Sequence, residues 1–169
     1  MEAVAERFQR AQPGVETIVQ RSGMSEPERE EFLQFFEPGN RKTMVGFAVL
    51  GGIFGEGVDL VGERLVGAVI VGVGLPQICL ERNLIRSYYD QADLPGFEYA
   101  YTYPGMNRVL QAAGRVIRTA NDRGVVLLID SRFGQQRYRR MFPAWWYPCR
   151  ITSPGDIQVE TGEFWKEEG

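Results

Sequence analysis

Apolar and polar positions fall along this chain in blocks that switch repeatedly between helix-like and strand-like patterns. Glu2 to Gln12 reads as a short helix closed by Pro13-Gly14, and Glu16 to Gln20 is rich in strand formers. Ser25 stands as an N-cap, with Pro27 in the first turn and Glu28 three residues on. That capping box predicts a helix running to Phe36 and stopped by Pro38-Gly39. Met44 to Leu50 and Ala68 to Val73 are continuous apolar runs, the pattern of strands buried on both faces. Gln77 to Gln91 predicts a helix whose apolar side is Ile78, Leu80, Leu84, Ile85 and Tyr88. Arg108 to Ala120 predicts another, and Gly124 to Ile129 a third buried strand ending on Asp130. The alternation argues for an α/β domain with a mostly parallel sheet flanked by helices. Residues 1–150 form that domain in this reading, and residues 151–169 a tail or short helix packed on it.

Composition narrows the chemistry. The 169 residues are 44% hydrophobic and 24% charged, the balance of one globular domain. Histidine is absent, which excludes Ser-His-Asp and Cys-His catalysis and His-ligated zinc. Cys79 and Cys149 are too few for a disulfide framework and lack C-x-x-C spacing, which points to a reducing, cytoplasmic setting with two structural thiols. The N-terminus has no apolar signal core. The longest apolar stretch, Leu65 to Val73, falls well short of the roughly 18 residues of a membrane span.

Two segments depart from an ordinary α/β domain. Nine of the 20 glycines lie between Gly46 and Gly74, and a glycine-rich loop from Gly51 to Asp59 directly follows an apolar strand. Ligands of open parallel sheets bind beyond the carboxyl ends of strands, and glycines let backbone N–H groups approach an anion. This loop is no P-loop: Lys42-Thr43 follows Arg41 where the last glycine should stand, and a strand follows instead of a helix. Gly72 and Gly74 likewise lack the third glycine of a dinucleotide fingerprint, since Gln77 takes its place.

The second segment is basic. The net charge of −3 conceals a stretch from Asn107 to Arg150 with nine arginines against Asp122 and Asp130, a local +7. On the helix predicted for Arg108 to Ala120, Val109, Ala113, Val116, Ile117 and Ala120 share one face. Arg108, Gln111, Arg115 and Arg118 share the opposite one. Gly114 sits mid-helix in this reading, at a cost of about 1 kcal/mol against alanine, as if another backbone or a ligand came close. Arginine meets phosphate oxygens bidentately and stays charged, so two of them one turn apart suit the charge on a γ-phosphate in flight.

Gln111-Ala112-Ala113-Gly114-Arg115-Val116-Ile117-Arg118 resembles the Q-x-x-G-R-x-I-R motif VI of superfamily 2 helicases. Gly51-Gly52-Ile53-Phe54-Gly55-Glu56-Gly57-Val58-Asp59, followed by Leu60-Val61-Gly62, resembles motif V of their XPD/DinG group. Val69 to Pro76 and Asp130 to Phe133 match that group's segments in order and spacing, so the resemblance runs from the first helix to about Tyr147. It implies the second, C-terminal RecA-like motor domain of an ATP-dependent DNA helicase, translocating 5′ to 3′ in DNA repair or recombination, its sheet flanked by helices on both faces. Carried over, Arg115 and Arg118 are arginine fingers and Gln111 positions the attacking water or the γ-phosphate. Glu56, Gly57, Asp59 and Gly114 lie at the nucleotide, and Gly52, Phe54, Arg108 and Arg132 toward nucleic acid. ATP with Mg²⁺ would be held largely by an N-terminal RecA-like domain bearing the P-loop and metal ligands, the partner of this one. An iron–sulfur cluster, where the full-length protein has one, would also lie outside this chain. Neither the P-loop nor the four cluster cysteines are in these 169 residues, and the motif IV strand would precede Met1, so the chain is expected to be a fragment and inactive alone.

A second class of function is a non-enzymatic module binding single-stranded nucleic acid or protein. Its features are Tyr138, Trp145, Trp146 and Tyr147 among Arg137, Arg139, Arg140 and Arg150. The competing account has the two tryptophans packing the end of the chain onto the core. A small-molecule enzyme built on the glycine loop fails for want of an acid–base pair.

Overall fold

The computed structural model describes residues 1–37, 39, 42–52, 64–117 and 122–166. Along them run α1 (Glu2–Ala11), β1 (Glu16–Val19), α2 (Glu26–Gln34), β2 (Met44–Phe47), β3 (Gly67–Val71), α3 (Leu80–Gln91), α4 (Tyr103–Ala113), β4 (Val125–Ile129), α5 (Gln136–Arg139) and α6 (Pro154–Lys166). Every pairing among the described strands is parallel, but the strands form two pairs, β1 with β2 and β3 with β4.

The first pair is clasped from both sides. Ile18 faces Gly46 across the ladder, and Phe32 and Phe36 of the α2 segment lie on that face. A Cβ on Gly46 would stand 2.6 Å from the Phe36 Cζ, so this glycine makes room for the rings. On the other face the Thr17 hydroxyl donates to the Gln9 Oε1 at 2.6 Å, and Phe8 meets Phe47 edge-on at 5.8 Å, which docks α1. The expected capping box starts α2: the Ser25 N–H and hydroxyl both donate to the Glu28 carboxylate at 2.7 Å. Those bonds hold the Glu28 carboxyl below its usual range.

Among the described residues the second pair is covered on one face only. Ala68 and Ile70, with their partners Val126 and Leu128, pack against Met106, Val109 and Ala113 of α4. The alternate residues Val69 and Val71 remain 64% and 72% exposed. The sequence predicted burial on both faces for this run; the strand instead alternates, because α4 supplies a single apolar stripe to one side.

α3 also differs from expectation. It begins at Leu80 rather than Gln77, and Ile78, Leu80, Leu84, Ile85 and Tyr88 face outward with no residue of the helix buried. It is tied to the rest through the π-helical turn Glu98–Thr102, where the Tyr101 hydroxyl donates to the Asn83 Oδ1 at 2.8 Å and Arg82 donates to the Ala100 carbonyl at 3.2 Å. α6 docks through Arg123, which donates to the Phe164 carbonyl at 2.8 Å and lies over its ring. Cys79 and Cys149, read as structural thiols, are both free and exposed, one preceding α3 and the other in an irregular stretch. No described helix is long and apolar enough to cross a membrane.

Candidate functional site

The carboxyl ends of β1, β2 and β3 meet around the start of the glycine-rich loop. Gln20, just past β1, donates its N–H to the Phe47 carbonyl at 2.8 Å, and its side-chain oxygen accepts from the Val49 N–H at 2.9 Å. The Gly52 N–H then turns back to the Val49 carbonyl at 2.9 Å. A Cβ on Gly52 would lie 3.0 Å from that carbonyl oxygen and 3.1 Å from the Gln20 Nε2. Gly51 sits at φ +75°, a left-handed conformation suited to glycine. A side chain there would stand 2.6 Å from the Arg108 Cδ and 2.7 Å from its Nε.

Arg108 spans the gap to the next strand end. Its Nη1 donates to the Gly74 carbonyl at 3.3 Å, so one guanidinium links the loop after β2 to the loop after β3. α4 is pressed onto that second loop backbone to backbone. A Cβ on Gly105 would sit 2.6 Å from the Val73 oxygen, and one on Gly74 2.8 Å from the Gly105 oxygen. Arg108 is thus brought from far along the sequence to Gly51, the residue before Gly52. Phe54, Glu56, Gly57, Asp59 and Arg118 lie outside the described residues.

α4 runs from the carboxyl end of β3 toward its amino end. Gly105 touches Val73 and Leu75, whereas Val116 packs against Gly124 beside Val66, just before β3 begins. Arg115 therefore lies roughly 10 Å along the axis from Arg108, with Gln111 exposed between them. This corrects the predicted helix. It starts at Tyr103, with Pro104 in its first turn, and ends at Ala113, where Gly114 is the C-cap and donates to the Leu110 carbonyl at 2.8 Å. Gly114 is neither mid-helix nor pressed by another segment: a Cβ there would meet only the Leu110 and Gln111 carbonyls, at 3.2 and 3.7 Å. Gly114 keeps a right-handed φ of −65°, so the helix ends there without the left-handed turn that calls for glycine. Arg115 sits in the turn that follows, half-buried, rather than on a helical face. Val109, Ala113 and Val116 are buried as expected, Ile117 is exposed, and Ala120 lies outside the described residues.

Arg132 is engaged by a neighbour that the sequence marked only as a strand end. Its Nε and Nη2 donate to the two Asp130 oxygens at 2.9 and 2.7 Å, and its backbone N–H donates to the same carboxylate at 2.9 Å. These bonds pull the Asp130 carboxyl below its ordinary range and raise the guanidinium. Gln20 and the Gly74–Gly105 contact were missed by sequence reasoning; the clustered glycines were the available signal. Among the described residues no group of three or more His, Cys, Asp or Glu could hold a metal ion. What these residues offer a ligand is guanidinium and amide groups.

A solved XPD helicase aligns with 80% of this chain at a TM-score of 0.56 and 21% identity, which establishes the RecA-like α/β fold. Among curated proteins, a Regulator of telomere elongation helicase 1 homolog from Caenorhabditis briggsae is 33% identical over 72% of the chain. A protein named "Probable ATP-dependent helicase" from Methanocaldococcus jannaschii is 37% identical over 68%. The chain spans 13% and 18% of the length of these two relatives and 25% of the solved XPD chain. The family described as Helicase C-terminal domain matches residues 1–149, and the chain belongs to that family.

Proposed function

We propose that this domain is the C-terminal motor half of an ATP-dependent DNA helicase, working across an ATP site shared with an N-terminal RecA-like domain. The carrying observation is that one helix, α4, holds Arg108 against the glycine loop at one end and leads to Arg115 at the other. In this reading Arg115 and Arg118 face the γ-phosphate of an ATP whose P-loop and Mg²⁺ ligands belong to the partner domain. Their fixed charge meets the negative charge spread over the transferred phosphoryl oxygens, the term that dominates such reactions. Gln111, exposed on the same helix, orients the attacking water, and Gly114 shapes the turn that presents Arg115. Glu56, Gly57 and Asp59 of the motif V resemblance serve nucleotide binding in this reading.

Single-stranded DNA runs past the other end, where Gly52, Phe54, Arg108 and Arg132 would meet its backbone. Movement 5′ to 3′ and a place in DNA repair rest on the motif V and VI resemblance. A reducing, cytoplasmic setting suits the two free cysteines. ATP turnover by the full-length protein tests the motor reading. Arg115→Ala should leave ATP binding intact and slow hydrolysis by about 10³-fold or more, while the 169-residue chain alone should not turn over ATP. Unchanged hydrolysis in the variant would remove Arg115 from this role.

A further inference from the structure

Beyond β4 the chain turns unusually one-sided. From Ser131 to Gly155 it holds five arginines and no acid. Asp130, just before, is occupied by Arg132. Among the described residues no carboxylate pairs with Arg137, Arg139, Arg140 or Arg150. Arg137 is turned to the Gln135 side chain and the Tyr138 ring, while Arg139, Arg140 and Arg150 are exposed.

The tyrosines and tryptophans of this stretch divide cleanly. Tyr138 is buried in the main core, and Trp146 packs beside it against Phe142, ring centroids 5.4 Å apart. Anchoring Trp146 inward turns its chain neighbours outward: Trp145 is 74% exposed and Tyr147 91%. Their Cα atoms are at most about 7 Å apart along the chain, close enough to serve adjacent bases of one strand. Large aromatic faces left in water cost solvation free energy that a stacked partner recovers.

We infer that Trp145 and Tyr147 form a base-stacking site for single-stranded nucleic acid, with Arg139, Arg140 and Arg150 receiving its phosphates. The inference rests on the nucleic-acid side of the proposed function and extends it to residues outside motifs V and VI. Two exposed aromatics in a segment whose arginines meet no carboxylate among the described residues match a strand carrying bases and phosphates at regular spacing. An acidic protein segment would use the charges but leave the rings unexplained.

The test is titration of the 169-residue chain with labelled oligo-dT at low salt, read by anisotropy and by tryptophan fluorescence. Binding should quench emission, and Trp165→Phe should preserve that quench while Trp145→Ala abolishes most of it. Trp145→Ala and Tyr147→Ala should each weaken binding roughly 5- to 150-fold, with unfolding midpoints unchanged because both side chains are on the surface. Arg139→Ala and Arg140→Ala should each lower the salt slope by about 0.7. Undetectable binding by the parent chain overturns the inference. So does unaltered affinity in both aromatic variants alongside weakened binding in Arg108→Ala, an outcome that leaves the motor reading standing. Polyglutamate competing as well as oligo-dT overturns it in favour of an acidic protein partner.

Discussion

The two strand pairs are built on the same parallel ladder, yet one is sealed and the other half open. Around β1 and β2, α1 closes one face through Phe8 and Gln9, and α2 closes the other through Phe32 and Phe36. Around β3 and β4, α4 and the segment from Phe133 to Trp146 build the core on one face, and among the described residues Val69, Val71 and Ile129 look outward on the other. The open pair is also the one whose helix carries Arg108, Gln111 and the turn at Arg115. The candidate site draws on both: the glycine loop leaves the sealed pair, and the arginines ride on the helix of the half-open one.

The contrast can be broken at its strongest point first. Phe32→Ala removes the ring at the centre of the small core between α2 and β2 and should cost about 3–5 kcal/mol in denaturant unfolding. A loss below about 1 kcal/mol would mean that the first pair is not sealed as described.

Asp130→Asn probes the rim of the second pair and should cost roughly 1–2 kcal/mol near neutral pH, tempered by the partial exposure of Arg132. The folded carboxyl titrates below its unfolded value of about 3.9. Its contribution is therefore complete above that value and disappears as pH falls through the lower, folded one. Urea midpoints followed downward from about pH 5 should fall more steeply for the parent than for Asp130→Asn. Parallel curves would detach the Asp130–Arg132 fork from acid stability.

The smallest effect is expected where the sheet is open. Val69→Thr with Val71→Thr should shift unfolding by about 0.5 kcal/mol or less. A loss above about 2 kcal/mol would show that this face is covered in solution and would erase the difference between the pairs.

Local signals in the sequence carried over well wherever the cause of a structure is itself local. The Ser25–Glu28 box, the proline in the first turn of α2 and the strand at Gly124 to Ile129 reappear within a residue or two. Strand direction followed from the alternation of elements. What failed was the inference from apolar character to burial. The continuous run at Ala68 to Val73 looked two-sided, and the stripe on α3 looked like a core face, because periodicity says which residues share a side and not what stands opposite. Gly114 misled differently: a terminating glycine was read as an interior one, which lengthened α4 past its cap and put Arg115 on a helical face. In the basic segment the choice between core and surface for Trp145 and Trp146 was open from sequence, and the structure answers with one of each. Arg108 was marked by its charge, yet its grip between Gly51 and Gly74 depends on two glycine backbones far from it in sequence.

The glycine contact at the head of α4 turns the position of Arg108 into a matter of clearance. Gly105 rests directly on Val73 and Gly74 with no side chain between them, and Met106, Val109 and Ala113 seat the rest of the helix on the strands. The guanidinium is thereby set at a fixed height over Gly51, where one added methyl would already collide with its Cδ. A side chain at Gly74 or Gly105 would have to push the helix away, and the span from one strand end to the next would open with it.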